Sequence, residues 1–280
     1  MGKEKSKNIL ITGVSTGIGY GVAKELIGRG YTIFGSVRKM EDGNRLQQEL
    51  GSNFKPLQFD VTDQEAIDRS AKELTFLLQG QGLGAAINNA GVSMSGPLEH
   101  LPMEDFIYNF DVNVFGLLRV TKAFLPLLGV QPNHPSSPGR ILNISSVAGK
   151  MAAPFLGAYS GSKHAVEALS HTMRREFQRY GIEVVIIAPG PVQTPIWDKG
   201  SMERFEKTLY IKSLINFFTW FTKEGKRGIT LESFSKQLAD ILEKDKPALR
   251  YALVKDKFKN WTVPRLLGDR AMDDFFKKML

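Results

Sequence analysis

Residues Asn8-Ile-Leu-Ile-Thr12 form a short apolar run that passes directly into Gly13-Val-Ser-Thr-Gly17-Ile-Gly19, then into a helical pattern through Val22, Ala23, Leu26 and Ile27. That order of strand, glycine-rich turn and helix restricts the fold more than any other stretch of the chain. Glycine is needed where a Cβ would block a ligand or the contact between helix and strand. Such a turn gathers backbone N–H groups at the start of a helix, which suits a pyrophosphate. The spacing here is G-x-x-x-G-x-G, not the commoner G-x-G-x-x-G.

The alternation then continues. Apolar runs predict strands near 8–12, 31–37, 54–59, 84–88, 139–145, 182–188 and 249–254. Helical periodicity predicts helices near 17–29, 63–79, 104–128, 157–180 and 230–243, with Thr62-Asp-Gln-Glu65 as a capping box for the second. This is an α/β pattern, and 280 residues are enough for one domain with a sizeable core. No repeat, low-complexity tract or domain-splitting linker interrupts it, so residues 1–280 are expected to form a single domain. The segment Gln131–Gly139, rich in Pro and Ser, is expected to be a surface loop.

Tyr159 and Lys163 stand four residues apart in Tyr159-Ser-Gly-Ser-Lys163. On a helix that spacing places both on one face. An ammonium beside a phenol favours the phenolate, which predicts a Tyr159 pKa below the usual value of about 10. A tyrosine tuned in this way can exchange a proton at working pH. Four further features follow in order: Asn88-Asn-Ala-Gly91 after a short strand, Asn113 in Asn113-Val-Phe-Gly116, Ser146 at the end of Arg140-Ile-Leu-Asn-Ile-Ser-Ser146, and Pro189-Gly-Pro-Val-Gln-Thr194.

Together these motifs resemble the short-chain dehydrogenase/reductase family over residues 8–195. The resemblance implies a Rossmann-type doubly wound parallel sheet of about seven strands with helices on both faces. It implies a catalytic tetrad of Asn113, Ser146, Tyr159 and Lys163. Around a nicotinamide cofactor it implies Gly13, Ser15, Thr16, Gly17, Ile18 and Gly19 at the phosphates. It also implies Asp60 and Val61 at the adenine, and Asn89, Ala90 and Gly91 on the adenosine side, with Asn88 supporting the sheet. Pro189, Gly190, Val192 and Thr194 are implied at the nicotinamide. In that scheme Asn113, Tyr159 and Lys163 also touch the cofactor.

The second strand ends in Val37-Arg38-Lys39, where a site for NAD usually carries a carboxylate for the ribose hydroxyls. A guanidinium can pair with a 2′-phosphate, so NADP(H) is expected over NAD(H). The chain has no cysteine, which removes disulfides and thiolate chemistry, and His100, His134, His164 and His171 lack metal-ligand spacing; no metal is expected. The net charge of +8 is scattered and no nucleic-acid motif accompanies it. The N-terminal tail does not read as a signal peptide and no apolar run reaches the roughly 18 residues of a membrane span, so a cytoplasmic protein is expected.

Residues 195–229 carry Ile196, Trp197, Phe205, Leu209, Tyr210, Ile211 and Leu214-Ile-Asn-Phe-Phe-Thr-Trp-Phe221. In the family this region is a substrate lid, and its composition suits a bulky hydrophobic carbonyl or alcohol, such as a steroid, retinoid, fatty or aromatic ketone, with Met94, Phe155 and Leu156 adding to the wall. Core packing, a subunit contact and a peripheral membrane contact beside Lys223, Lys226 and Arg227 are the alternatives. A C-terminal extension at 255–280 is expected near the substrate mouth or another subunit, and family habit points to a homodimer or homotetramer. The expected activity is interconversion of ketone or aldehyde and alcohol. A nucleotide-sensing protein without turnover and a nicotinamide-dependent epimerase or dehydratase are the competing readings.

Overall fold

The computed structural model describes residues 5–130, 136–194 and 203–277. Seven strands lie in one parallel sheet of order β3-β2-β1-β4-β5-β6-β7. They are β1 (Asn8–Ile11), β2 (Thr32–Val37), β3 (Phe54–Gln58), β4 (Ala85–Asn88), β5 (Arg140–Ile144), β6 (Glu183–Pro189) and β7 (Arg250–Leu253). Each predicted strand is present, within a residue or two at its ends. Parallel strands buried on both faces read as unbroken apolar runs, which is why they were visible.

Successive residues of a strand point to opposite faces. Ile9 and Ile11 of β1 pack with Val22 and Leu26 of α1 (Gly17–Gly28), Leu46 of α2 (Met40–Leu50) and Leu238 of the helix Leu231–Glu243. Leu10, between them, faces Ile67 and Leu74 of α3 (Gln64–Leu77), Phe124 and, from α6 (Gly157–Phe177), Val166. The sheet therefore has two helical layers, and the strand order reverses between β1 and β4. In such sheets ligands bind at that reversal, outside the carboxyl ends of the strands.

Three expectations need correction. The helix expected over 104–128 is four pieces: α4 (Met103–Phe110), a π-helical turn Asp111–Gly116, α5 (Leu117–Phe124) and a 3₁₀ turn Leu125–Leu128. The helix α2 was not anticipated, because only Gly43 and Leu46 of it are buried. The cap of α3 is Asp63, whose side chain accepts the Ala66 N–H at 3.0 Å, and not Thr62. The Thr62 hydroxyl is already committed, donating to Asp60 Oδ1 at 2.9 Å.

Residues 203–277 add α7 (Ile211–Arg227), α8 (Leu231–Glu243), α9 (Val263–Leu266) and α10 (Asp269–Lys277). Phe205, Leu214 and Phe217 turn inward and form a buried cluster with Leu101, Phe155 and Leu156. Phe217 lies 5.5 Å from Phe155, ring to ring, and stacks on Phe221 at 5.5 Å. Core packing thus accounts for much of the aromatic stretch, while Leu209 is fully exposed. Trp220 meets Phe275 of α10 at 6.4 Å, and Trp261 is buried against Ala188 and Ala252 with Val147 beside it. Ile196, Trp197 and His134 lie outside the described residues. No helix among the described residues is long and apolar enough to cross a membrane, and none of their His, Asp or Glu side chains group as a metal site.

Candidate active site

The glycine turn sits at the strand reversal. Gly13 and Gly17 have φ of +70° and +64°, which side chains resist, and a Cβ on Gly19 would lie 2.3 Å from the Gly13 carbonyl oxygen. The turn is tied to the segment after β4: Asn89 Nδ2 donates to the Thr12 and Gly13 carbonyls at 2.8 and 3.0 Å, and Thr12 Oγ1 accepts the Asn89 and Ala90 N–H groups at 3.0 and 2.9 Å. Thr16 caps α1 in an extended conformation without a side-chain hydrogen bond to the first turn. The N–H groups there are left for an external acceptor, so the turn fits a phosphate. Ile18 packs into the core beneath, and Thr194 closes over the turn, 3.9 Å from where a Gly17 Cβ would stand.

Other implied cofactor contacts ring the same edge. Val37 is buried while Arg38 and Lys39 are exposed, and these cations line an open depression with Met40, Asp42 and Gln58. Asp60 is partly exposed and bonds its own turn through Thr62, and Val61 is buried against Gly116. Pro189 ends β6, Gly190 N–H donates to the Leu253 carbonyl at 3.0 Å, and Val192 pairs with Ile229. Sequence reasoning missed Arg45, whose guanidinium donates to the Ser15 carbonyl at 3.1 Å beside the turn. The signal would have been α2 itself, which brings that cation round to Ser15.

Asn113, Ser146, Tyr159 and Lys163 come together beyond β5. The Ser146 hydroxyl stands close enough to the Tyr159 phenol to lower its pKa. It also accepts the Ala148 N–H at 3.1 Å, so the residue starts the next turn in a fixed orientation. Buried Lys163 donates from Nζ to the Ile144 carbonyl at 2.8 Å and lies 5.8 Å from the Tyr159 ring centre. A Cβ on Gly91 would be 3.2 Å from Asn113 Oδ1 and 3.6 Å from Lys163 Nζ, so the segment after β4 reaches the same place. Asn113 stands in the π turn, a distortion that occurs mostly as single turns within α-helices and is frequent at functional sites. Asn88, as expected, supports the sheet: its Nδ2 donates to Thr121 Oγ1 at 2.9 Å and Asn143 Oδ1 at 2.8 Å.

The expected acidification of Tyr159 is reversed. Burial raises its pKa above the ordinary 10, and the Ser146 hydroxyl only partly offsets this. Lys163 does not supply the counter-effect, because its ammonium is turned to the Ile144 carbonyl and burial lowers its own pKa from 10.5 to about 8. The phenol is therefore protonated at neutral pH, poised to give a proton and not to take one.

Lys163 also carries a stability signature. Between pH 8 and 10.5 the unfolded chain holds the lysine proton that the folded chain has lost, so stability rises with pH across that window. Lys163→Met abolishes this titration. Its stability relative to the parent is expected to decline from near pH 7 to near pH 10, by up to roughly 3 kcal/mol, as read by urea midpoints. A difference that stays level across the window would contradict the depressed Lys163 pKa.

Comparison with known proteins shows the family. The pattern described as short chain dehydrogenase matches residues 7–204. An NADPH-dependent 3-dehydrocapnine reductase of Ornithobacterium rhinotracheale is 36% identical over 97% of this chain and 96% of its own length. A 3-amino-tetrahydro-pyrrolizinone reductase of Xenorhabdus hominickii is 32% identical, covering 96% of this chain and 94% of its own. Among solved structures, a short-chain dehydrogenase from Streptomyces avermitilis superposes with a TM-score of 0.77 at 28% identity, covering 98% of this chain and 97% of that one. The chain belongs to the short-chain dehydrogenase family and is an oxidoreductase.

Proposed function

We propose that this protein is an NADP(H)-dependent reductase that converts a ketone on a bulky hydrophobic substrate to the alcohol. The observation that carries the reading is the buried Tyr159 phenol, with the Ser146 hydroxyl acting on its pKa and the buried Lys163 ammonium 5.8 Å from its ring centre. A relative named as NADPH-dependent supports the cofactor, as do the exposed Arg38 and Lys39 at the end of β2.

The glycine turn would hold the cofactor's phosphates, Arg38 its 2′-phosphate, and Thr194 with the end of β6 the nicotinamide. When bound there, the reduced cofactor supplies a hydride to the carbonyl carbon. Ser146 donates a hydrogen bond to the carbonyl oxygen and holds it in place. Tyr159 transfers its phenolic proton to that oxygen as negative charge develops, and Lys163 would bond the nicotinamide ribose hydroxyls beside it. Asn113, through the open backbone of the π turn, would hold a water that returns a proton from solvent to Lys163 and Tyr159.

The partly exposed Phe218, Trp220 and Phe221, which pack on the buried cluster, support a hydrophobic substrate. The relative named for 3-dehydrocapnine makes that ketone the first compound to try. The test is NADPH consumption with 3-dehydrocapnine, a steroid ketone, a retinoid, a long-chain ketone and small aromatic ketones. One of the bulky compounds is expected to exceed the small ones in kcat/KM by about tenfold or more. No NADPH consumption with any carbonyl would sink the reading.

A further inference from the structure

We propose that Asn109 is a positioning residue that governs substrate discrimination, fixing the backbone at Met94 to the helix that carries Tyr159 and Lys163. The inference rests on the function proposed above. Asn109 is fully buried near the end of α4. Its Oδ1 accepts the Met94 N–H at 2.9 Å, and its Nδ2 donates to Ser162 Oγ at 2.9 Å and to the Ala158 carbonyl at 3.3 Å.

Ser162, also fully buried, closes the link. Its hydroxyl donates to the Tyr159 carbonyl at 2.7 Å and accepts from both Asn109 and, at 3.0 Å, Asn113 Nδ2. A hydroxyl has one proton and two lone pairs, so this one is saturated. Asn113 in turn grips Val92, accepting its N–H at 2.8 Å and donating to its carbonyl at 2.9 Å. Two asparagines one turn apart thus hold alternate residues of the segment after β4, and both are anchored on one serine between Tyr159 and Lys163.

Met94 is partly exposed, in the segment that passes Lys163 at Gly91. The backbone at Met94 is therefore tied to the helix that carries Tyr159 through the Asn109 amide and the Ser162 hydroxyl, not by apolar packing alone, which slides more easily. Hydrogen-bonding geometry is directional, so a wall held in this way keeps its place when a substrate presses on it. Every group in the chain of contacts is neutral, so the clamp does not respond to pH.

The test uses the full-length protein as Asn109→Ala, Ser162→Ala and the double variant. With a long-chain ketone and a small cyclic ketone, the ratio of kcat/KM values is expected to fall about tenfold in each single variant, and no further in the double. NADPH affinity and the shape of the pH profile should stay as in the parent. Hydrogen–deuterium exchange with NADPH present should accelerate about tenfold at residues 92–94 but not in β1 or β5. Parent-like exchange at 92–94, a uniform rise across the chain, or an unchanged ratio would overturn the proposal. If Asn109→Ala fails to fold, Ser162→Ala decides by the same readouts. If the parent consumes no NADPH with any ketone, the proposed function falls, while the exchange data still decide whether the clamp exists.

Discussion

Tyr159→Phe is expected to lower kcat by roughly 10²- to 10⁴-fold while the NADPH dissociation constant stays within a few-fold of the parent. The substitution removes one oxygen and leaves the ring on α6. Lys163 keeps its hydrogen bond to the Ile144 carbonyl, so the ammonium does not collapse into the gap. Ser146 keeps its backbone partner at Ala148 and can still orient a carbonyl. What disappears is the proton donor, and its loss should appear in kcat and kcat/KM together because it acts in the transition state. Steady-state turnover and fluorescence titration with NADPH separate the two quantities. Turnover within severalfold of the parent would move the donor role elsewhere, with the Ser146 hydroxyl the nearest candidate.

Arg38→Asp is expected to cut kcat/KM with NADPH by roughly 10²-fold and to change the NADH value by only a few-fold. A charge-assisted hydrogen bond contributes about 1.5–3 kcal/mol, and reversing the sign adds repulsion between a carboxylate and a phosphate. Arg38 is exposed, so the loss should shrink as salt is raised, because screening weakens both attraction and repulsion. Kinetics with both cofactors at two ionic strengths measures it. Equal losses for NADPH and NADH would show that Arg38 does not read the 2′-phosphate. Arg45, already bonded to the Ser15 carbonyl, would then be the next cation to change.

These expectations trace back to features of very different visibility in the chain. The strands could be read because Val184 to Ala188 and their counterparts are apolar without a break, as sheets covered on both sides require. Tyr159 and Lys163 could be read because their spacing matches a helix turn. Arg45, Asn109 and Ser162 could not, since each is an ordinary polar residue whose meaning comes from a partner distant in sequence. Asn109 reaches Ser162 across 53 positions, and nothing local marks it. The direction of the Tyr159 pKa was lost for a similar reason. Spacing gives the neighbour, Lys163, but not the carbonyl at Ile144 that claims its ammonium, nor the burial that opposes the charge.

The π turn at Asp111–Gly116 also uncouples the two ends of one long helix. An uninterrupted α-helix would fix by rotation which side its far end shows once the near end was placed. The widened turn resets that phase, so α4 can aim Asn109 at Met94 while α5 aims Val120 and Phe124 at the sheet. Losing one residue from the turn would swing one of those faces by about 100°. The chain would then keep either its packed interior or its gripped loop, but not both.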